Sequence, residues 1–123
     1  MSDNAIVAVI TDLMLQSRLV EQARRAGWPV LVADTPEALD AALAAGPALA
    51  VVDLHAMGVD WRRAVALARE RGVPVLAFGR HTEAQLLRSA REAGCDRVVP
   101  RSQFVEELPR LIEELTGAPP KVG

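Results

Sequence analysis

The sequence is poor in the residues that build covalent or metal-centred scaffolds. It holds a single cysteine, Cys95, so no internal disulfide and no cysteine zinc cluster can form. Cys95 follows Ala93 and Gly94 at the start of an apolar run, where a small, packed, unreactive thiol is expected. No apolar stretch approaches the roughly 20 residues that span a bilayer, and no basic segment followed by a long apolar one opens the chain. No membrane location is expected; a reducing, cytoplasmic setting is. Excess charge of one sign is missing too. Fourteen basic and 16 acidic residues give a net charge of −2, with no global field that calls for nucleic acid. Lys121 is the only lysine; every other basic residue is arginine. The stretch Thr11–Ser17 after the first apolar run contains no glycine, which excludes a GxGxxG dinucleotide loop and a Walker phosphate loop there. Ser17, Ser89 and Ser102 lack the GxSxG setting of a hydrolase elbow.

What is present is a regular alternation. With 123 residues, half of them apolar, the chain can form one domain with a layered core. Its organising stretch is Ala48–Gly58, in which the apolar run Ala48–Val52 leads straight into Asp53. Such a run reads as a strand buried on both faces that delivers one carboxylate at its exposed tip. Four further runs read the same way: Ala5–Ile10, Trp28–Ala33, Val73–Phe78 and Arg97–Pro100. Pro29 lacks an N–H, which places the second strand at an edge.

Between the strands, apolar residues recur at helical spacing, as Leu15, Leu19, Ala23 and Ala26 do. Asp12, Thr35 and Asp60 are expected helix caps, as are Thr82, in a box with Gln85, and Ser102. Pro109 predicts a break in the last helix. The sum is an α/β fold: a doubly wound, five-stranded parallel sheet, (βα)5, with helices on both faces. The expected domain spans residues 1–117, with a frayed tail over 118–123.

In such a sheet the strand tips Thr11-Asp12, Asp53-Leu54-His55, Gly79-Arg80 and Pro100-Arg101-Ser102 converge at one edge, where open α/β sheets bind ligands. The element order, the position of Asp53 before the loop Leu54–Asp60, and the run Val98–Ser102 (VVPRS) resemble the receiver domain of bacterial two-component response regulators, the CheY-like, flavodoxin-like fold. The resemblance covers residues 4–117. It implies Asp53 as phospho-acceptor candidate, with a pocket of Thr11, Asp12, Gly79 and Arg101. Any metal would be Mg²⁺, held weakly by Asp12, Asp53 and the carbonyl of His55.

Several positions depart from the family's pattern. One carboxylate of the acidic pair is Thr11, the hydroxyl position is Gly79, the lysine position is Arg101, and the aromatic switch position is Val98. A hard cation wants several oxygen ligands, and phosphoryl transfer needs fixed donors to its spreading charge. The resemblance with these departures implies a degenerate receiver, a pseudo-receiver. It would act through protein–protein contact with a signalling partner, such as a histidine kinase or output protein, or as a homodimer, rather than as an enzyme with a tightly bound cofactor. Leu87, Val98, Phe104 and Leu108 are the expected partner face. The main alternative is a working phospho-receiver.

Other readings compete for the same residues. Asp53 itself could serve only to pair with Arg101 or Arg80. Asp53-x-His55-x-x-Gly58 matches the DxHxxG string of cobalamin-binding domains, but it follows the third strand rather than the first, and the later Ser-x-Leu and Gly-Gly are missing. The plain alternative for His55 is a solvated loop histidine. His81 could join Asp12 and Asp53 in a metal site. The arginine pairs 24-25 and 62-63 read as solvated helix faces, and nucleic-acid binding by this chain alone is not expected.

Overall fold

The structure is a computed structural model and describes residues 5–117. The elements alternate as β1 (Ile6–Val9), α1 (Leu13–Arg25), β2 (Val30–Val32), α2 (Pro36–Ala44), β3 (Leu49–Asp53), α3 (Trp61–Glu70), β4 (Val75–Gly79), α4 (Ala84–Glu92), β5 (Arg97–Pro100) and α5 (Arg101–Thr116). All strand pairs are parallel, in the order β2-β1-β3-β4-β5. The expected fold class is the observed one, and β2 with its preceding Pro29 is an edge strand. The expected tail, 118–123, lies outside the described residues.

Side chains divide between two cores with the strand period of two. Ile6 and Ala8, Leu49 and Val51, and Leu76 and Phe78 face one side, where α1 and α5 contribute Leu15, Leu19, Phe104, Leu108 and Leu111. Val7 and Val9, Ala50 and Val52, and Val75 and Ala77 face the other, under α2, α3 and α4. Burial on both faces is why the strands are continuous apolar runs rather than alternating ones. The order reverses between β1 and β3, so the crevice of a doubly wound sheet opens between the end of β1 and Asp53.

The caps Asp12, Thr35 and Asp60 form as expected, each accepting from backbone N–H groups of its helix. Two caps do not. The N–H of Glu83 donates to the carbonyl of Arg80, so Thr82 lies in a turn, and α4 begins after Glu83 without a side-chain cap. Strand β5 runs directly into α5 at Pro100, so Ser102 is inside the helix rather than at its cap. The break in α5 appears at Glu107 (φ −115°, ψ 20°), two residues before Pro109, whose ring and missing N–H interrupt the helical ladder.

Phe78 of β4 and Phe104 of α5 stack with centroids 4.1 Å apart and planes 15° apart, and both are buried. This contact fixes the first turns of α5, and hence Arg101, against the end of the sheet. Phe104→Ala is expected to destabilise the fold by about 3–5 kcal/mol, read by urea unfolding. A loss below about 1 kcal/mol would show that the stack does not anchor α5.

Candidate functional site

Asp53 ends β3 beside Phe78 of β4. By strand alternation it points to the α1/α5 side, the side of Leu49 and Val51. It is only 5% exposed, which corrects the expectation of an exposed tip. The reason is that the central strand has neighbours on both edges and helices on both faces. One carboxylate oxygen, Oδ1, accepts the N–H of His55 at 2.8 Å. Burial raises the Asp53 pKa above the ordinary 3.8, and Asp12 adds to the rise; the His55 N–H and the nearby His55 and Arg101 charges oppose it without cancelling it.

Asp12 is differently engaged. Its Oδ1 accepts the N–H groups of Met14 (3.0 Å) and Leu15 (3.1 Å), capping α1. Its Oδ2 accepts from Arg101 Nη2 at 3.1 Å. The Leu15 N–H, then the Met14 N–H and Arg101, hold its carboxyl below the usual range. Thr11, where a second carboxylate would stand in the resemblance, uses Oγ1 to accept the N–H of Met57 at 3.0 Å, pinning the loop after β3.

Both expected partners of Asp53 are elsewhere. Arg101 pairs with Asp12, and Arg80 lies 3.5 Å from Glu83. The reason for the first is position: Asp12 presents an accessible carboxylate at the rim, whereas Asp53 lies beneath it. Gly79 ends β4. A Cβ there would stand 3.3 Å from Leu54 Cδ1 and Leu87 Cδ2 and 3.7 Å from His55 Nε2. A side chain at this tip would need the Leu54 and Leu87 side-chain ends to give by a few tenths of an ångström.

His55 is therefore no solvated loop residue. Its ring lies over Gly79, and Nε2 is buried, 3.5 Å from Glu83 Oε1 but not aligned for a hydrogen bond. His81 is exposed, and among the described residues no three His, Cys, Asp or Glu side chains converge to hold a metal. The set Asp12, Asp53 and His55, with or without His81, is thus not assembled by side chains.

The open space at this edge lies to one side. A cleft of about 500 Å³ is lined by Arg80, His81, Thr82, Arg101, Ser102 and Val105, and Asp53 does not line it. Leu87, Val98, Phe104 and Leu108, expected as a partner face, are core residues. They occupy the inward positions of α4, β5 and α5, and the exposed side chains of those helices include Arg88, Arg91, Glu106 and Arg110. Cys95 is half-buried with its thiol pushed up to about 11 by burial, as fits an unreactive thiol.

Sequence reasoning missed two features. Among the described residues, Leu13 (73%), Met14 (84%) and Met57 (78%) are the most exposed large apolar side chains and flank the rim; the sign was that Leu13 and Met14 fall outside the Leu15–Leu19–Ala23 stripe. Glu83 pairs locally with Arg80, but its approach to His55 had no signal, because His55 comes from the loop after β3.

No family model matches the chain, and no curated protein matches it in sequence. Solved structures do match in shape. A response regulator from Chloroflexus aurantiacus aligns with a TM-score of 0.81 at 19% identity, over 93% of this chain and 98% of that one. A signal receiver domain from Bermanella marisrubri gives 0.79 at 19%, over 92% and 98%. The receiver domain of a sensor histidine kinase from Pseudomonas aeruginosa, which holds a magnesium ion in its active site cleft, gives 0.79 at 17%, over 94% and 98%. The fold is the receiver fold. At these identities the likeness extends to the fold alone.

Raising the Asp53 pKa has a definite sign. The folded state binds this proton more tightly than the unfolded chain, so the stability it contributes is full below 3.8 and is lost as pH rises through the folded value. Asn keeps an oxygen for the His55 N–H without the buried charge. Asp53→Asn is therefore expected to raise the thermal midpoint at neutral pH, with the gain shrinking towards zero as pH falls below 3.8. A variant no more stable than wild type at neutral pH would contradict this.

Proposed function

We propose that the chain is a receiver-like signalling module of a bacterial pathway that works in the cytoplasm by protein–protein contact, without efficient phosphoryl transfer. Its partner would be a histidine kinase, an output protein or a second copy of itself. The observation that carries this reading is the β4 tip. Gly79 offers no hydroxyl to a phosphoryl group, and the side-chain ends of Leu54, Leu87 and His55 lie close around its α-carbon. Losing one fixed donor at a comparable oxyanion site costs about 10²- to 10³-fold in rate. The burial of Asp53 adds to the obstacle, because an attacking carboxylate must be ionised and reachable.

Mg²⁺ chemistry fits poorly. Thr11 replaces one carboxylate, and the remaining rim carboxylate, Asp12, already has both oxygens in hydrogen bonds. No transfer step is therefore derived through the ion. The reading is tested by incubating wild type and Asp53→Ala with labelled acetyl phosphate and Mg²⁺. The expected result is no label that depends on Asp53. A stable acyl phosphate on wild type, absent from the variant, would establish the phospho-receiver instead.

A further inference from the structure

We propose that the free edge of β2 is a docking site for an extended, basic polypeptide segment, which adds to the sheet as a further strand. The inference stands on β2 and α2 alone, at the edge of the sheet opposite β5. It does not rest on the receiver-like reading and holds whether or not Asp53 accepts a phosphoryl group.

The ladder with β1 decides which backbone groups of β2 are free. Ile6 pairs with Val30, and Ala8 pairs with Val32. The Ile6 N–H donates to the Pro29 carbonyl at 2.9 Å, and the Ala33 N–H donates to the Ala8 carbonyl at 2.9 Å. In a parallel pair, the N–H and C=O of one residue point to the same neighbour, and alternate residues point to opposite sides. Pro29, Leu31 and Ala33 therefore face β1, and Val30 and Val32 turn their N–H and C=O groups outward. The N–H that Pro29 lacks would have pointed to β1, so this proline does not blunt the outer edge. No lysine or arginine lies between Arg25 and Arg62, so the edge also lacks the basic side chains that commonly guard such strands.

The side chains around this edge choose the partner. Leu31 and Val32 are exposed. A groove of about 440 Å³ is lined by Val30, Leu31, Val32, Ala38, Ala41 and Ala42. Such a groove takes alternate apolar side chains of an added strand, while the main chain supplies the hydrogen bonds. Its border is acidic. Asp34 follows β2, and Glu37 and Asp40 are exposed on α2, with Glu37 one turn before Ala41. None of these three carboxylates takes part in an ion pair among the described residues. Among the described helices, α2 alone carries no basic residue. A second copy pairing through β2 would set these acids against their own counterparts, so charge favours a basic partner over self-association.

The probe is the acetylated, amidated peptide KRVTVKVRK, with EEVTVEVEE as its charge-reversed counterpart. Binding to the full chain is read by backbone amide shifts and amide hydrogen exchange. The basic peptide at millimolar concentration is expected to give saturable shifts over Val30–Asp34 and α2, and slower exchange of the Val30 and Val32 amides. The acidic peptide is expected to give neither. Val32→Pro removes an outward N–H and leaves the β1 ladder intact; it is expected to abolish binding. Glu37→Lys/Asp40→Lys alters exposed positions and is expected to weaken binding at least about threefold. The peptide pair and the lysine variant decide the question even if Val32→Pro does not fold.

No saturable binding of the basic peptide, equal binding of the two peptides, or shifts that leave Val30–Val32 unmoved would overturn the inference. Self-association of wild type that Val32→Pro abolishes would also overturn it, by giving the edge to a second copy. None of these results bears on labelling of Asp53 by acetyl phosphate, so the signalling-module reading stands or falls separately.

Discussion

The ion pair between Asp12 and Arg101 is the contact on which the functional edge of this sheet depends. It joins the cap of α1, three residues after β1, to the first residue of α5, which follows β5 directly. As an exposed pair it adds little to global stability. Its consequence is positional: it completes the coordination of Asp12, neutralises that carboxylate and places α5 relative to α1. Thr11, pinned to Met57, does the same for the loop after β3. The polar groups at the strand tips thus hold the loops together, and few of them are left for an external ligand.

Beneath this rim, Asp53 is a carboxylate with little exposed surface. Its single hydrogen bond from His55 and the nearby Arg101 offset part of the burial, not all of it. The arrangement persists because the surrounding strands over-determine it. Asp53 is the last residue of a strand paired on both sides, flanked by Phe78, which is itself stacked on Phe104. The same packing that covers Asp53 also crowds the β4 tip, where His55 lies over Gly79. Packing and chemistry at this edge are one constraint: what makes the core continuous to its end also closes it.

Much of the fold was legible because it depends on local rules. The apolar runs 48–52 and 73–78 were long enough to be buried strands, Pro29 placed the edge, and Asp12, Thr35 and Asp60 had the side chains that caps require. The failures share a cause. Thr82 and Ser102 carried good cap chemistry, but a turn closed at Glu83 and a strand that runs straight into α5 moved the helix starts. The pairing of Arg101 with Asp12 rather than Asp53, and the His55–Gly79 packing, depend on distances between loops far apart in sequence. A pattern can place these residues at one edge, but it cannot say which of them touch. Leu87, Val98, Phe104 and Leu108 were apolar for the ordinary reason that they face inward.

The point on which the reading turns is a buried Asp53 carboxylate beneath the Asp12–Arg101 pair. Carbon-detected NMR of the Asp53 carboxyl across a pH titration, with and without Mg²⁺, tests it most directly. The account predicts a midpoint above the ordinary 3.8 that Mg²⁺ leaves unchanged. A midpoint below 3.8, or one that falls when Mg²⁺ is added, would contradict it.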